Sequence, residues 1–191
     1  MIIRNIINIS IDDSVIFTYK GIEEIREEAD YPGYRVSIEA ILDKTRQTLK
    51  IDITTGDFVT PKEIEYSFKL LFENRTINIL AYNIETVLAE KFETTITRGV
   101  ANSRMRDFYD IYILTTTQDI STDIFREALK KTVEKRHTAQ QMSDITGVIN
   151  NIAANDVMTD LWSRYQKKYS YAAGITWEMV ITAVEWLADR I

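Results

Sequence analysis

The chain has 191 residues, 45% of them hydrophobic and 27% charged, the mix of an ordinary globular protein. It has no cysteine and one histidine, which excludes disulfides, thiolate chemistry and histidine-based metal centres. The formal net charge of −6 excludes polyanion binding through overall charge, so such a ligand needs a local basic patch.

The first residues, Ile2 to Ile9, are apolar but short, carry Arg4 inside the run, and lack a small-residue cleavage site. They read as a helix end leading into a strand. No run reaches the roughly 18 apolar residues of a membrane span, so a cytoplasmic protein is expected. Val15 to Tyr19 and Ile22 to Glu27 are two short strand candidates. From Tyr34 to Leu42 the chain alternates, with Tyr34, Val36, Ile38, Ala40 and Leu42 on one face. Asp43 to Arg46 reads as a turn, and Gln47 to Thr54 as the returning strand of a hairpin. Gly56-Asp57 and Pro61 break the chain. Two further strands are expected around Glu63 to Leu71 and Ile77 to Ala81.

From Asn83 the period becomes helical. Asn83 is an expected N-cap with Thr86 at the third helical position. Ile84, Val87, Leu88, Lys91, Phe92 and Thr95 follow helical spacing. Further helices are expected over Arg104 to Leu114, with Ser103 as cap, then Asp123 to Lys135, 138–154 and 155–170. A last one is capped by Thr176. The expected fold is α+β: a mixed or antiparallel sheet region over 1–82, followed by a helical bundle over 83–191.

Three features carry candidate chemistry. Asp52 faces away from Leu49, Ile51 and Ile53 on its strand. It is either a solvated strand-face residue or a hard oxygen ligand for Mg²⁺. Lys91 lies on the apolar stripe of its helix, where an ammonium must snorkel outward or meet an anion. The anion is either a carboxylate or a phosphate. In Arg104-Met105-Arg106-Asp107-Phe108-Tyr109-Asp110, the two aspartates are three residues apart and share one helix face. That cluster suits phosphate binding or catalysis. Equally, Asp107 or Asp110 pairs with Arg104, Arg106 or Lys91 and locks two helices together. His137 reads as a surface or capping residue, and the three tryptophans as core. Lys130, Lys131, Lys135 and Arg136 read as a solvated helix end, with a contact to RNA as the alternative. There is no Walker-type loop and no G-x-G-x-x-G.

The run Leu49 to Asp57, then Ala81 to Lys91, then Arg98-Gly99 and Asn102 to Asp110 resembles the AbiEii/AbiGii toxin family of nucleotidyltransferase-like proteins. Ala29 to Val36 resembles it as well. The Ala-Glu-Lys and Arg-x-Arg-Asp-Phe-Tyr-Asp segments are the most specific parts. The resemblance implies a partial polymerase-β-type nucleotidyltransferase domain and an abortive-infection or toxin–antitoxin role. It also implies an NTP, GTP above all, with Mg²⁺, and as partners an antitoxin and an RNA or protein acceptor. It places Lys91, Asp107 and Asp52 as catalytic residues, with Asp52 on the metal. Lys91, Arg104, Arg106 and Asp110 are placed on the nucleotide. The family's Gly-Ser and Asp-x-Asp motif is not found: Asp12-Asp13 is adjacent and follows no Gly-Ser. The alternative expectation is a degenerate or truncated member that binds a nucleotide or partner without turnover.

Overall fold

The computed structural model describes residues 2–11, 13–25, 33–56 and 58–191. Met1, Asp12, residues 26–32 and Asp57 lie outside the described residues, and with them parts of the second strand candidate and of the Ala29 to Val36 resemblance, and the end of the Leu49 to Asp57 run. The architecture is α+β, with small antiparallel sheets followed in the chain by helices. The contacts divide the chain into two units, Met1–Asp57 and Phe58–Ile191.

The first unit holds α1 (Ile2–Ile7), β1 (Ile16–Glu24), β2 (Tyr34–Leu42) and β3 (Thr45–Ile53), with the strands in the order β1-β2-β3. The two strand candidates before residue 28 are one strand. The register shifts between Tyr19 and Gly21, an irregularity that lets the ladder continue past an extra residue. The hairpin turn is tighter than expected. Asp43 takes a φ of 52°, a left-handed conformation that aspartate tolerates, so β3 begins already at Thr45. Alternation sets the faces. Val36 and Ile38 are buried and stand opposite Ile51 and Leu49. The other face is polar: Glu39 meets Lys20 at 3.0 Å and Arg46 at 3.1 Å.

The second unit opens with the hairpin β4 (Ile64–Lys69) and β5 (Thr76–Ala81). Then come α2 (Ile84–Arg98), α3 (Met105–Thr117), α4 (Thr122–Arg136), α5 (Ile145–Ala153), α6 (Asp156–Lys168) and α7 (Trp177–Ala188). Short polar caps start most of them. Ser121 accepts from the Ile124 amide, Asn155 from Met158, and Thr176 from Met179. The stretch expected as one helix over 138–154 is shorter, because residues 141–144 form a 3₁₀ turn and Asp144 caps α5 by accepting from the Gly147 amide. Among the described residues, no helix is long and apolar enough to cross a membrane.

The core of this unit is helical. Phe92, Phe108, Ile111, Phe125, Trp162 and Leu187 are fully buried. Phe92 meets Phe125 edge-on at 6.1 Å, and the Trp162 indole N–H donates to the Ile175 carbonyl at 2.9 Å. The buried stripe of α2 is broader than the expected one. Leu88, Phe92 and Thr95 are buried, but Glu85, Ala89, Glu93 and Ile96 join them, while Lys91 stands at the margin. Two glutamates are tolerated there because both are partnered. Glu85 accepts from the Ser121 amide at 3.0 Å, and Glu93 accepts from Arg136.

Asn83 caps α2 as expected, and it does a second job. Its Oδ1 accepts from the Thr86 amide, while its Nδ2 donates to the buried Thr60 carbonyl at 2.6 Å. Thr60 also donates its amide to the Thr86 hydroxyl at 3.0 Å. Asn83→Ala therefore removes a cap and orphans part of a buried carbonyl's bonding. The expected loss is about 2 kcal/mol in urea unfolding. Asn83→Ser keeps the cap oxygen and is expected to lose about half as much. Equal losses in the two variants would show that the cap oxygen contributes nothing, and no loss in Asn83→Ser would show that the Thr60 bond contributes nothing.

Candidate functional site

The site begins with the margin of α2. Lys91 extends from the apolar stripe to the first turns of α3, where its Nζ lies 2.9 Å from Asp107 Oδ1 and 2.6 Å from Asp110 Oδ2. The three side chains are 20%, 15% and 28% exposed, so the cluster is half-buried and still reachable. Helical spacing explains the geometry: Asp107 and Asp110 sit one turn apart and present two carboxylates to one ammonium. Phe108 and Ile111, each the residue after one of the aspartates and fully buried, fix the rotation of α3. Burial by itself lowers the Lys91 pKa. Hydrogen bonds to Asp110 and Asp107 outweigh that and raise it above its ordinary value.

The entry to α3 is built by Asn102 rather than by the expected Ser103. Asn102 is fully buried, and its Oδ1 accepts from the Arg104 amide at 3.0 Å. Arg104 occupies the cap position without a capping side chain. Asp107, in the first turn of α3, lies at the positive end of the helix dipole.

Beside Asp107 a cleft of about 530 Å³ opens between the start of α3 and α6. Arg104, Arg106 and Asp107 line one side, and Arg164, Tyr165 and Lys168 the other. Arg106 is exposed, and its pKa is raised by a hydrogen bond to the Tyr165 phenol and by the neighbouring phenols of Tyr165, Tyr171 and Tyr169. Burial, followed by a bond to Tyr171, pushes the Tyr165 phenol well above its usual range.

Asp52 belongs to the first unit. Both of its carboxylate oxygens accept from Arg35, at 2.7 and 2.8 Å, across the β2–β3 ladder in which the two residues are register partners. Of the sequence candidates, the structure thus brings together Lys91, Asp107 and Asp110. It sets Arg104 and Arg106 in the cleft beside them, and it gives Asp52 an arginine partner. Among the described residues, no three histidine or acidic side chains gather where they could hold a metal ion. Asp107 and Asp110, the carboxylates beside the cleft, are both engaged by the Lys91 ammonium.

His137 caps α4 in a left-handed conformation and is exposed, in line with its reading. Arg136 is not a solvated helix end. Its guanidinium donates to Glu93, to the Thr94 hydroxyl at 3.0 Å and to the Glu90 carbonyl at 3.5 Å. Sequence reasoning missed this clamp, and it missed Arg164 and Lys168. The i, i+4 spacing of the latter two on α6 was the available signal.

Comparison with curated proteins found no match, and comparison with solved structures found none either. One family model matches residues 1–190, described as nucleotidyl transferase AbiEii toxin, Type IV TA system. That match covers nearly all of the chain, including Lys91, Asp107 and Asp110, and the chain belongs to the AbiEii nucleotidyl transferase toxin family of type IV toxin–antitoxin systems.

Proposed function

We propose that the chain acts as a nucleotidyltransferase-type toxin that takes a nucleoside triphosphate, GTP above all, at the Lys91–Asp107–Asp110 cluster. The observation that carries this is the half-buried ammonium held by two carboxylates beside an open basic cleft. An ammonium has three donors, and the aspartates engage two of them. The third is left for a phosphate oxygen. Asp107 and Asp110 act by positioning: they hold the ammonium at the cleft edge and keep it protonated. Arg104 and Arg106 add charge where a polyphosphate would extend. Mg²⁺ belongs to the family's chemistry, but the described residues supply no cage for it, and no step here depends on one. A cognate antitoxin is the partner that the family implies, and an abortive-infection role in the cytoplasm follows from the same resemblance.

The test is calorimetry of GTP with Mg²⁺ on the full chain and on Lys91→Gln. A lost charge-assisted hydrogen bond predicts an affinity drop of about tenfold or more. Undetectable binding by the wild type, or equal binding by Lys91→Gln, rejects the nucleotide site. A second reading is binding without turnover, motivated by a sequence in which Asp12-Asp13 stands adjacent and follows no Gly-Ser. Transfer of label from α-labelled NTP to RNA or protein separates the two: binding without transfer selects the second.

A further inference from the structure

The cations of the cleft are more numerous than the nucleotide reading needs. Arg164 and Lys168 stand on α6, one turn apart, and both are exposed. Among the described residues, neither forms an ion pair with a carboxylate, and the same holds for Arg104 and Arg106 across the cleft. Four arginines and lysines without acidic partners, on a chain of net charge −6, make a local positive groove on an otherwise repulsive surface.

The rings beside these cations are aromatic and layered. Tyr169 lines the cleft and stacks on Tyr171 with centroids 5.4 Å apart and planes 27° apart. Lys168 lies 5.3 Å over the Tyr169 ring, and Tyr171 is 51% exposed. Tyr109 and Tyr165 pack tilted against the pair, at 4.8 Å from Tyr171 and 4.7 Å from Tyr169. The rings are thus held in place before any ligand arrives. A positive groove that tracks a backbone, next to fixed rings on which bases stack, is the physical requirement for holding a single strand of nucleic acid.

We infer that the α3–α6 cleft binds a single-stranded polynucleotide, with Arg164 and Lys168 on its phosphodiesters and the Tyr169–Tyr171 stack under a base. The inference rests on the nucleotide reading in one respect: it makes the strand the acceptor for the nucleotide held at Lys91. A protein acceptor fits less well. An acidic peptide would satisfy the cations but would leave the tyrosine rings without a planar partner.

The experiment measures fluorescence anisotropy of a labelled mixed-sequence single strand, as RNA and as DNA, with the full chain at several salt concentrations. The same sequence is also tested as a duplex. Single-strand binding is expected to exceed duplex binding, because only unpaired bases can stack on the rings. Arg164→Glu/Lys168→Glu is expected to lower single-strand affinity at least about tenfold. Removing two phosphate contacts is expected to flatten the slope of log K against log salt by about 1.4. Both positions are exposed, so thermal melting of the double variant should match the wild type. GTP binding should stay within about twofold of wild type, whereas Lys91→Gln should lose GTP and keep the strand. Absence of strand binding at low salt, equal binding of the duplex, or an unchanged salt slope in the double variant overturns the inference. So does loss of GTP binding in the double variant, which assigns these cations to the triphosphate. If the strand binds as expected while Lys91→Gln leaves GTP binding unaltered, the nucleotide site fails and the strand site stands.

Discussion

Arg136→Ala is expected to destabilise the second unit by about 3 kcal/mol in urea or thermal unfolding, because it strands a carboxylate in the core. Glu93 is only 2% exposed, and Arg136 is its one cationic partner among the described residues. Removing the guanidinium does not return the carboxylate to water. It leaves a buried charge with only a long bond from the Thr94 hydroxyl, at 3.4 Å, against its desolvation. The same guanidinium bonds the Glu90 carbonyl and the Thr94 hydroxyl, so one side chain ties the end of α4 to more than a turn of α2. Arg136→Lys keeps the charge but not the fork, and is expected to recover only part of the loss. The deciding comparison is Arg136→Ala with Glu93→Gln. A neutral amide is cheaper to bury, so the double variant is expected to be more stable than Arg136→Ala alone. If the two losses simply add, no coupling links the residues, and the clamp has no energetic content.

That clamp also shows where sequence reading ends. Asn83 as the cap of α2 and Thr176 as the cap of α7 were legible because a cap is satisfied within three residues. The alternation of β2 and β3 was legible for the same local reason. Asp107 and Asp110 could be set on one face from their spacing, and Lys91 demanded an anion because of its place on an apolar stripe. The choice among Arg104, Arg106 and Lys91 as their partner was open, since it depends on how α2 crosses α3. The Glu93–Arg136 contact joins residues 43 apart in sequence and follows from the packing of α4 on α2, which no local pattern encodes. Glu93 reads as a surface residue until a helix is laid over it. The facing of α6 across the start of α3 is likewise a property of the bundle, so Arg164 and Lys168 entered the cleft only with the fold. The β4–β5 hairpin is the converse case. Its two strands were legible, yet Tyr66 and Phe68 remain 51% and 43% exposed, because a two-stranded ladder has little with which to cover a face.

Lys91→Met is expected to cost about 2 kcal/mol, less than Arg136→Ala, because Asp107 and Asp110 keep some water. Their side chains are 15% and 28% exposed, against 2% for Glu93. The loss comes from two carboxylates left side by side without the cation between them. Adding Asp110→Asn to Lys91→Met removes that repulsion and is expected to restore about half of the stability. The pH dependence carries a sign that separates an ion triad from simple packing. Lys91 holds its proton more tightly in the folded chain than at its ordinary value of 10.5. Its contribution is therefore complete below 10.5, and it is lost as the pH rises through the raised folded value. The stability gap between wild type and Lys91→Met should stay constant from neutral pH up to about 10.5 and narrow between there and the raised folded value. A gap that does not change with pH would mean that the methylenes of Lys91, not its charge, hold α2 to α3. In that case the ammonium would have no special claim on a phosphate.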